Sequence, residues 1–157
     1  WNGEAYVLSV IQLDPPRYRI QVVFEADRAV RERALRDALP LYEQALSPDS
    51  DLRAWFNDEA APLRAYTLYR LMIAQVASQS AQQTQTYQTL LTEYPDPATA
   101  PVYVTMARAF LESYQTSGNP SAACGAALAL VNDSALALLN RYGTRSPTYT
   151  RADLCPF

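Results

Sequence analysis

Leu63-Arg64-Ala65-Tyr66-Thr67-Leu68-Tyr69-Arg70-Leu71-Met72-Ile73-Ala74-Gln75-Val76 is the stretch on which the fold turns. It holds no Gly or Pro and few β-branched residues, so it favours helix. Pro62 suits the first turn, and Asn57 or Asp58 is placed to cap it with Glu59 alongside. Its apolar residues, Leu63, Tyr66, Leu68, Tyr69, Leu71, Met72, Ile73 and Val76, lie nearly all around the axis. A helix of that kind must be packed on more than one side, and it runs to about Ser78.

Outward from it, helices are expected on both flanks. Arg17 to Leu46 reads as a helical pair. Ile20, Val23, Phe24 and Val30 form one stripe, and Leu35, Leu39, Tyr42 and Leu46 form the second. Tyr18, Ile20, Val22 and Phe24 also alternate, so residues 5–25 admit a β-hairpin turning at Pro15-Pro16, against which prolines at the strand ends argue. Ser47-Pro48-Asp49-Ser50-Asp51 is turn chemistry. It leads to Trp55-Phe56, a pair expected to plug the core or, if exposed, to mark a contact site.

Leu71 to Thr92 contains no Asp, Glu, Lys or Arg. Its middle is low in complexity, yet Tyr87, Leu90, Leu91 and Tyr94 keep helical spacing, which predicts a helix from about Ala81 with a polar, uncharged outer face. Ala100 to Thr116 is amphipathic, with Tyr103, Met106, Ala107, Phe110, Leu111 and Tyr114 inward and Thr105, Arg108, Glu112 and Gln115 outward. Ser117-Gly118-Asn119-Pro120 stops it and opens an Ala/Leu-rich helix over 121–142, divisible at Asn132-Asp133-Ser134. Gly143 terminates that helix, and 143–157 is expected to be a coil tail.

Composition removes several chemistries. The 157 residues include no His, and all 13 basic residues are Arg against 16 Asp plus Glu. Without His, the usual neutral-pH acid/base, Ser-His nucleophile and zinc nitrogen are missing. Without Lys there is no Schiff base or phosphate-loop lysine, and four scattered Gly make no phosphate loop. The sequence implies no metal, no cofactor and no catalytic residues. A net charge of −3 argues against a generic nucleic-acid surface. Asp49/Asp51 and Asp58/Glu59 read as a solvated loop and a helix N-terminus. Arg28, Arg31, Arg33 and Arg36, interleaved with Asp27, Glu32 and Asp37, read as a salt-laced exposed face, with anion or acidic-peptide binding as the other use. Tyr18 and Tyr149 are the tyrosines expected to make contacts.

Cys124 and Cys155 are the two cysteines. They are either a disulfide pinning the tail onto the last helices or two buried thiols. A bridge closing about thirty residues would stabilise by ~3–4 kcal/mol on the chain-entropy model and would indicate an oxidising, extracytoplasmic home. The chain opens on Trp1 rather than Met, as expected after removal of an upstream segment, and an anchor there would be its only link to a membrane. Its longest clean apolar run, Ala5 to Ile11, is too short to span a bilayer.

Ala38, Tyr42, Ala45 and Pro48 resemble the second helix of a tetratricopeptide (TPR) repeat. Thr86-Tyr-Gln-Thr-Leu-Leu-Thr-Glu-Tyr94-Pro-Asp-Pro97 looks like the same element in bacterial envelope TPR lipoproteins. Met106-Ala107 and Phe110 are similar to a first helix, with Gly118 at the turn and Ala122-Ala123 opening the second. Leu8, Ile11 and Pro16 fit the tail of a second helix, so residues 1–14 would be a partial repeat or cap. Ala26 and Leu71 stand where the family has Gly, and 49–61 is an insertion.

The resemblance implies one all-α domain over 1–157, a right-handed superhelix of about three to four stacked hairpins. It implies a groove lined by outward residues of the first helices: Asp27 and Arg31, Met72 and Gln75, Arg108 and Glu112. The expected function is a non-enzymatic scaffold of the bacterial cell envelope, periplasmic or cell-surface, that binds another protein or a peptide. The alternative is a structural subunit packed permanently into a larger, membrane-associated assembly.

Overall fold

The computed structural model describes residues 14–144 and 146–157. The expected partial repeat over 1–14 falls almost wholly outside them, as does the 5–13 portion of the alternative hairpin. Among the described residues the chain is all-helical, with α1 Arg19–Arg31, α2 Leu35–Leu46, α3 Ala60–Ala77, α4 Gln83–Glu93, α5 Val102–Ser117, α6 Pro120–Leu128 and α7 Asp133–Asn140. A short 3-10 turn, Arg151–Leu154, follows. Residues 19–25 belong to α1, so the β-hairpin reading fails there: Gln21 Oε1 accepts from the Arg17 and Tyr18 amides and starts a helix instead. One isolated parallel bridge, Tyr18 to Arg53, ties the 47–59 connection to the start of α1.

Helices consecutive in the chain pack in pairs, α1 with α2, α3 with α4 and α5 with α6, and α3 packs against α1, α2, α4 and α5. That position explains its apolar circumference. Leu63, Leu68, Met72, Ile73 and Val76 are all buried, each worth about 1.5–3 kcal/mol relative to exposure. Small residues sit where helices approach closely: Ala26, Ala29, Ala38 and Ala74 surround Val30, Tyr42 and Leu71 in a secondary core.

The first two pairs turn in the same way. After α1, Arg33 adopts φ +63° and the Ala34 amide donates to the Ala29 carbonyl. After α3, Gln79 adopts φ +57° and the Ser80 amide donates to the Gln75 carbonyl. Both are left-handed closures of the kind that usually take glycine, and a side chain there costs about 1–2 kcal/mol. Gly118, at φ +61°, meets the same need after α5 without that cost. Asn119 and Asn132 cap α6 and α7 by accepting from amides of the first turn, so the 121–142 helix does divide at Asn132.

The tail departs from expectation. Residues 149–155 are not a loose coil: Tyr149, Leu154 and Cys155 are buried. Cys155 is disulfide-bonded to Cys124 of α6, with Cα atoms 5.4 Å apart. Tyr149, expected at a contact surface, faces the interior instead. No single helix among the described residues is long and apolar enough to cross a membrane.

Candidate functional site

The tail crosses the first helices and settles on charges that the sequence placed in a groove. Asp27 is fully buried, and three hydroxyls converge on its carboxylate. Oδ1 accepts from the Tyr42 hydroxyl, and Oδ2 accepts from the Tyr66 hydroxyl at 2.7 Å and the Tyr149 hydroxyl at 2.6 Å. Arg70 Nε forms an ion pair with Oδ1 at 2.9 Å and donates its hydrogen bond to the Tyr42 hydroxyl oxygen at 3.2 Å. Arg70, equally buried, donates from Nη1 to the Asp153 carbonyl at 2.6 Å. One ion pair thus joins α1, α2, α3 and the tail.

Burial is the largest influence on Arg70 and works against its charge, but Asp27, Tyr42 and Tyr66 together outweigh it and hold the guanidinium pKa well above its ordinary value. Burial is also the first cause pushing the Tyr42, Tyr66 and Tyr149 hydroxyls up, with Asp27 adding to it. Tyrosines so placed stay protonated and donate. The cluster faces inward, and Arg70 Nη2 is buried with no hydrogen-bond partner among the described residues.

Three of the six groove residues named from the repeat register are therefore not on a groove. Asp27 is consumed by the buried pair. Met72 is core, and Gln75 is buried against α4, where its Oε1 accepts from Thr86 Oγ1 at 2.8 Å. The physical reason is that the chain's own tail covers α1 and α3 where a partner was expected, while α4 covers Gln75. Arg108 and Glu112 are exposed on α5. Arg31 is partly exposed; its Nη1 lies 3.9 Å from Asp153 and its guanidinium 5.8 Å from the Tyr149 ring centre.

Arg31 also lines a groove of about 670 Å³, which runs between α1 and residues 142–144 and 146–147. Ile20, Phe24, Arg28 and Arg31 present one side at helical spacing, while Tyr142, Thr144 and Ser146 present the other. Trp55 stands at this groove, 45% exposed. Its ring lies 6.3 Å from Tyr142 at 87°, and Phe24 lies 5.6 Å from Tyr142 at 88°, both edge-to-face. Tyr18 supports Trp55 at 4.6 Å. Arg28 pairs with Glu25 on the rim.

Fully buried Glu59 fixes the aromatic wall. Its carboxylate accepts from the Trp55 amide at 2.7 Å, the Phe56 amide at 3.1 Å and the Tyr142 hydroxyl at 2.9 Å. Arg141 stacks on Phe56 at 4.5 Å and pairs with exposed Asp58 at 2.9 Å. The Trp55-Phe56 pair thus divides its labour, Phe56 packing inward and Trp55 facing solvent. The groove offers aromatic faces, amide and hydroxyl groups and an arginine edge. Glu25 adds a carboxylate to the lining.

Sequence reasoning singled out Trp55 and Arg31 but missed Phe24 and the wall formed by residues 142–144 and 146–147. The signal available was Tyr142 directly before Gly143, an aromatic at a chain reversal. No protein-family model, no curated protein and no solved structure matches this chain.

Proposed function

We propose that this chain is a non-enzymatic binding module, a TPR-like stack of helical hairpins working outside the cytoplasm in a bacterial envelope. It holds an extended segment of a partner protein in the groove between α1 and residues 142–144 and 146–147. The observation that carries this reading is exposed Trp55 on an aromatic-lined groove whose edge holds Arg28 and Arg31. An unburied Trp set against two other rings is the kind of anchor on which interfaces concentrate their energy.

The three helix pairs and their repeated left-handed turns support the repeat reading. The Cys124–Cys155 bond is compatible with an oxidising compartment. The chemistry suits a segment with an apolar or aromatic side chain for the ring wall and a nearby carboxylate for Arg31.

The test is selection of peptides from a random displayed library on the disulfide-intact protein. Selected peptides should share an aromatic residue beside Asp or Glu. Trp55→Ala and Arg31→Gln should each weaken them about tenfold or more, equivalent to ~1.4 kcal/mol, with circular dichroism unchanged. Peptides that bind Trp55→Ala as tightly as the parent would overturn the assignment.

A further inference from the structure

A second groove, of about 410 Å³, lies between α4 and the C-terminal part of α5 and shares no lining residue with the first. Its polar lining is Gln83, Thr84, Tyr87, Gln88, Tyr114 and Gln115, over the buried side chain of Leu111. No charged residue is among them. One wall belongs to the stretch Leu71–Thr92, which carries no charge at all in a chain that is 18% charged. The absence of charge here is extended, and it selects against ionic ligands: a phosphate or carboxylate brought to this wall would find no counter-charge.

We propose that this groove binds a neutral oligosaccharide. A sugar hydroxyl both donates and accepts, and so does a glutamine amide, which carries two donors and an acceptor in one plane. Three such amides line the groove. Among the described residues, neither they nor the Tyr87 and Tyr114 hydroxyls bond to another group of the chain. The hydrogen bonds nearby run elsewhere, from Thr86 to Gln75, from Thr89 to the Gln85 carbonyl and from Thr116 to the Glu112 carbonyl. The polar capacity of the groove is therefore open to a ligand.

Tyr87 and Tyr114 are both half-buried, which fixes the rings while leaving surface free. Phe110 backs Tyr114 in a near-parallel stack, 6.2 Å between centres and 14° between planes. A pyranose presents an apolar C–H face to such rings and its equatorial hydroxyls sideways to the amides. Gly118 closes α5 with nothing within 4 Å of where a side chain would begin, so that end of the groove stays open for a chain of sugars.

The experiment titrates the disulfide-intact protein with maltohexaose, cellohexaose and chitohexaose, using an oligogalacturonate as the charged control, followed by calorimetry and amide chemical shifts. At least one neutral hexasaccharide should saturate with a Kd of about 1 mM or below, shifting amides of α4 and α5 but not of α1. Tyr87→Ala and Tyr114→Ala should each weaken it about tenfold or more, and Tyr87→Phe should retain most of it because the ring face remains. The oligogalacturonate should not bind. Three results would overturn the proposal. One is no saturation by any neutral hexasaccharide up to ~10 mM. Another is binding indifferent to both alanine variants. The last is sugar-independent self-association lost in Tyr87→Ala, which would make the groove a contact between copies of this chain.

Discussion

Replacing Asp27 by Asn keeps the shape of the side chain and removes its charge. Asp27 and Arg70 are both fully buried, so the guanidinium would lose its counter-ion with no water to replace it. The substituted amide also turns one acceptor into a donor facing hydroxyls that themselves donate, from Tyr42 on one side or Tyr66 and Tyr149 on the other. Removing one partner of a buried pair costs about 3–5 kcal/mol. With a urea m-value of about 2 kcal/mol per molar for a chain of this size, the midpoint should fall by about 1.5–2.5 M. Arg70→Met should cost less, because Asp27 keeps its three tyrosine donors. In the double variant the two losses should not add, leaving a coupling of about 1–3 kcal/mol. The assay is equilibrium urea unfolding followed by far-ultraviolet circular dichroism. A midpoint shift below about 0.5 M for Asp27→Asn, or a double variant equal to the sum of the singles, would refute the reasoning.

Tyr69 is buried, and its hydroxyl has no hydrogen-bond partner among the described residues, so Tyr69→Phe should be neutral or stabilise by up to ~1 kcal/mol, whereas Tyr66→Phe should destabilise; thermal melts of the two variants decide it. Burial raises the hydroxyls of Tyr42, Tyr66, Tyr69, Tyr103, Tyr142 and Tyr149 above the ordinary 10.0. The unfolded chain therefore ionises first: stability from these groups is intact below pH 10 and is lost above it by about 1.4 kcal/mol per tyrosine per pH unit. Unfolding should accompany tyrosinate absorbance between about pH 10 and 12, and tyrosines titrating near 10 with unchanged circular dichroism would contradict this. Replacing both cysteines by Ser opens a loop spanning 31 positions and should cost about 3–4 kcal/mol, read as a melting-temperature fall on the order of 10 °C.

The helices were legible because their signals are local. The stripes over 17–46, the all-round apolar α3 and the asparagine caps each lie within a few residues of what they specify. Asp27 was misread because it stands in a run of alternating charges, Glu25 to Asp37, which resembles a solvated edge. Yet it occupies the same helical stripe as Ile20, Val23 and Val30, and the lone charge on the buried stretch of α3, Arg70, calls for a partner of opposite sign. Those two signals, read together, point to the buried pair. The role of the tail had no such signal. Tyr149 meets Asp27 across 122 positions and Asp153 meets Arg70 across 83; no periodicity reaches that far. The aromatic groove was half visible for the same reason, since Trp55 and Arg31 stand out locally while Tyr142, Thr144 and Ser146 arrive by topology.

The tail also sets a schedule. Translation proceeds at about 5–20 residues per second, so Arg70 is made some 4–17 s before the carbonyl of Asp153 exists to accept from it. Asp27 waits about 6–24 s for the hydroxyl of Tyr149. Throughout that interval the first two helix pairs carry a charge pair whose lid has not been synthesised, and their native packing stays open to solvent. Closure is therefore an event of the finished segment rather than of the growing one, and it sets Cys155 against Cys124. The Cys124–Cys155 bond of the closed state is compatible with an oxidising compartment.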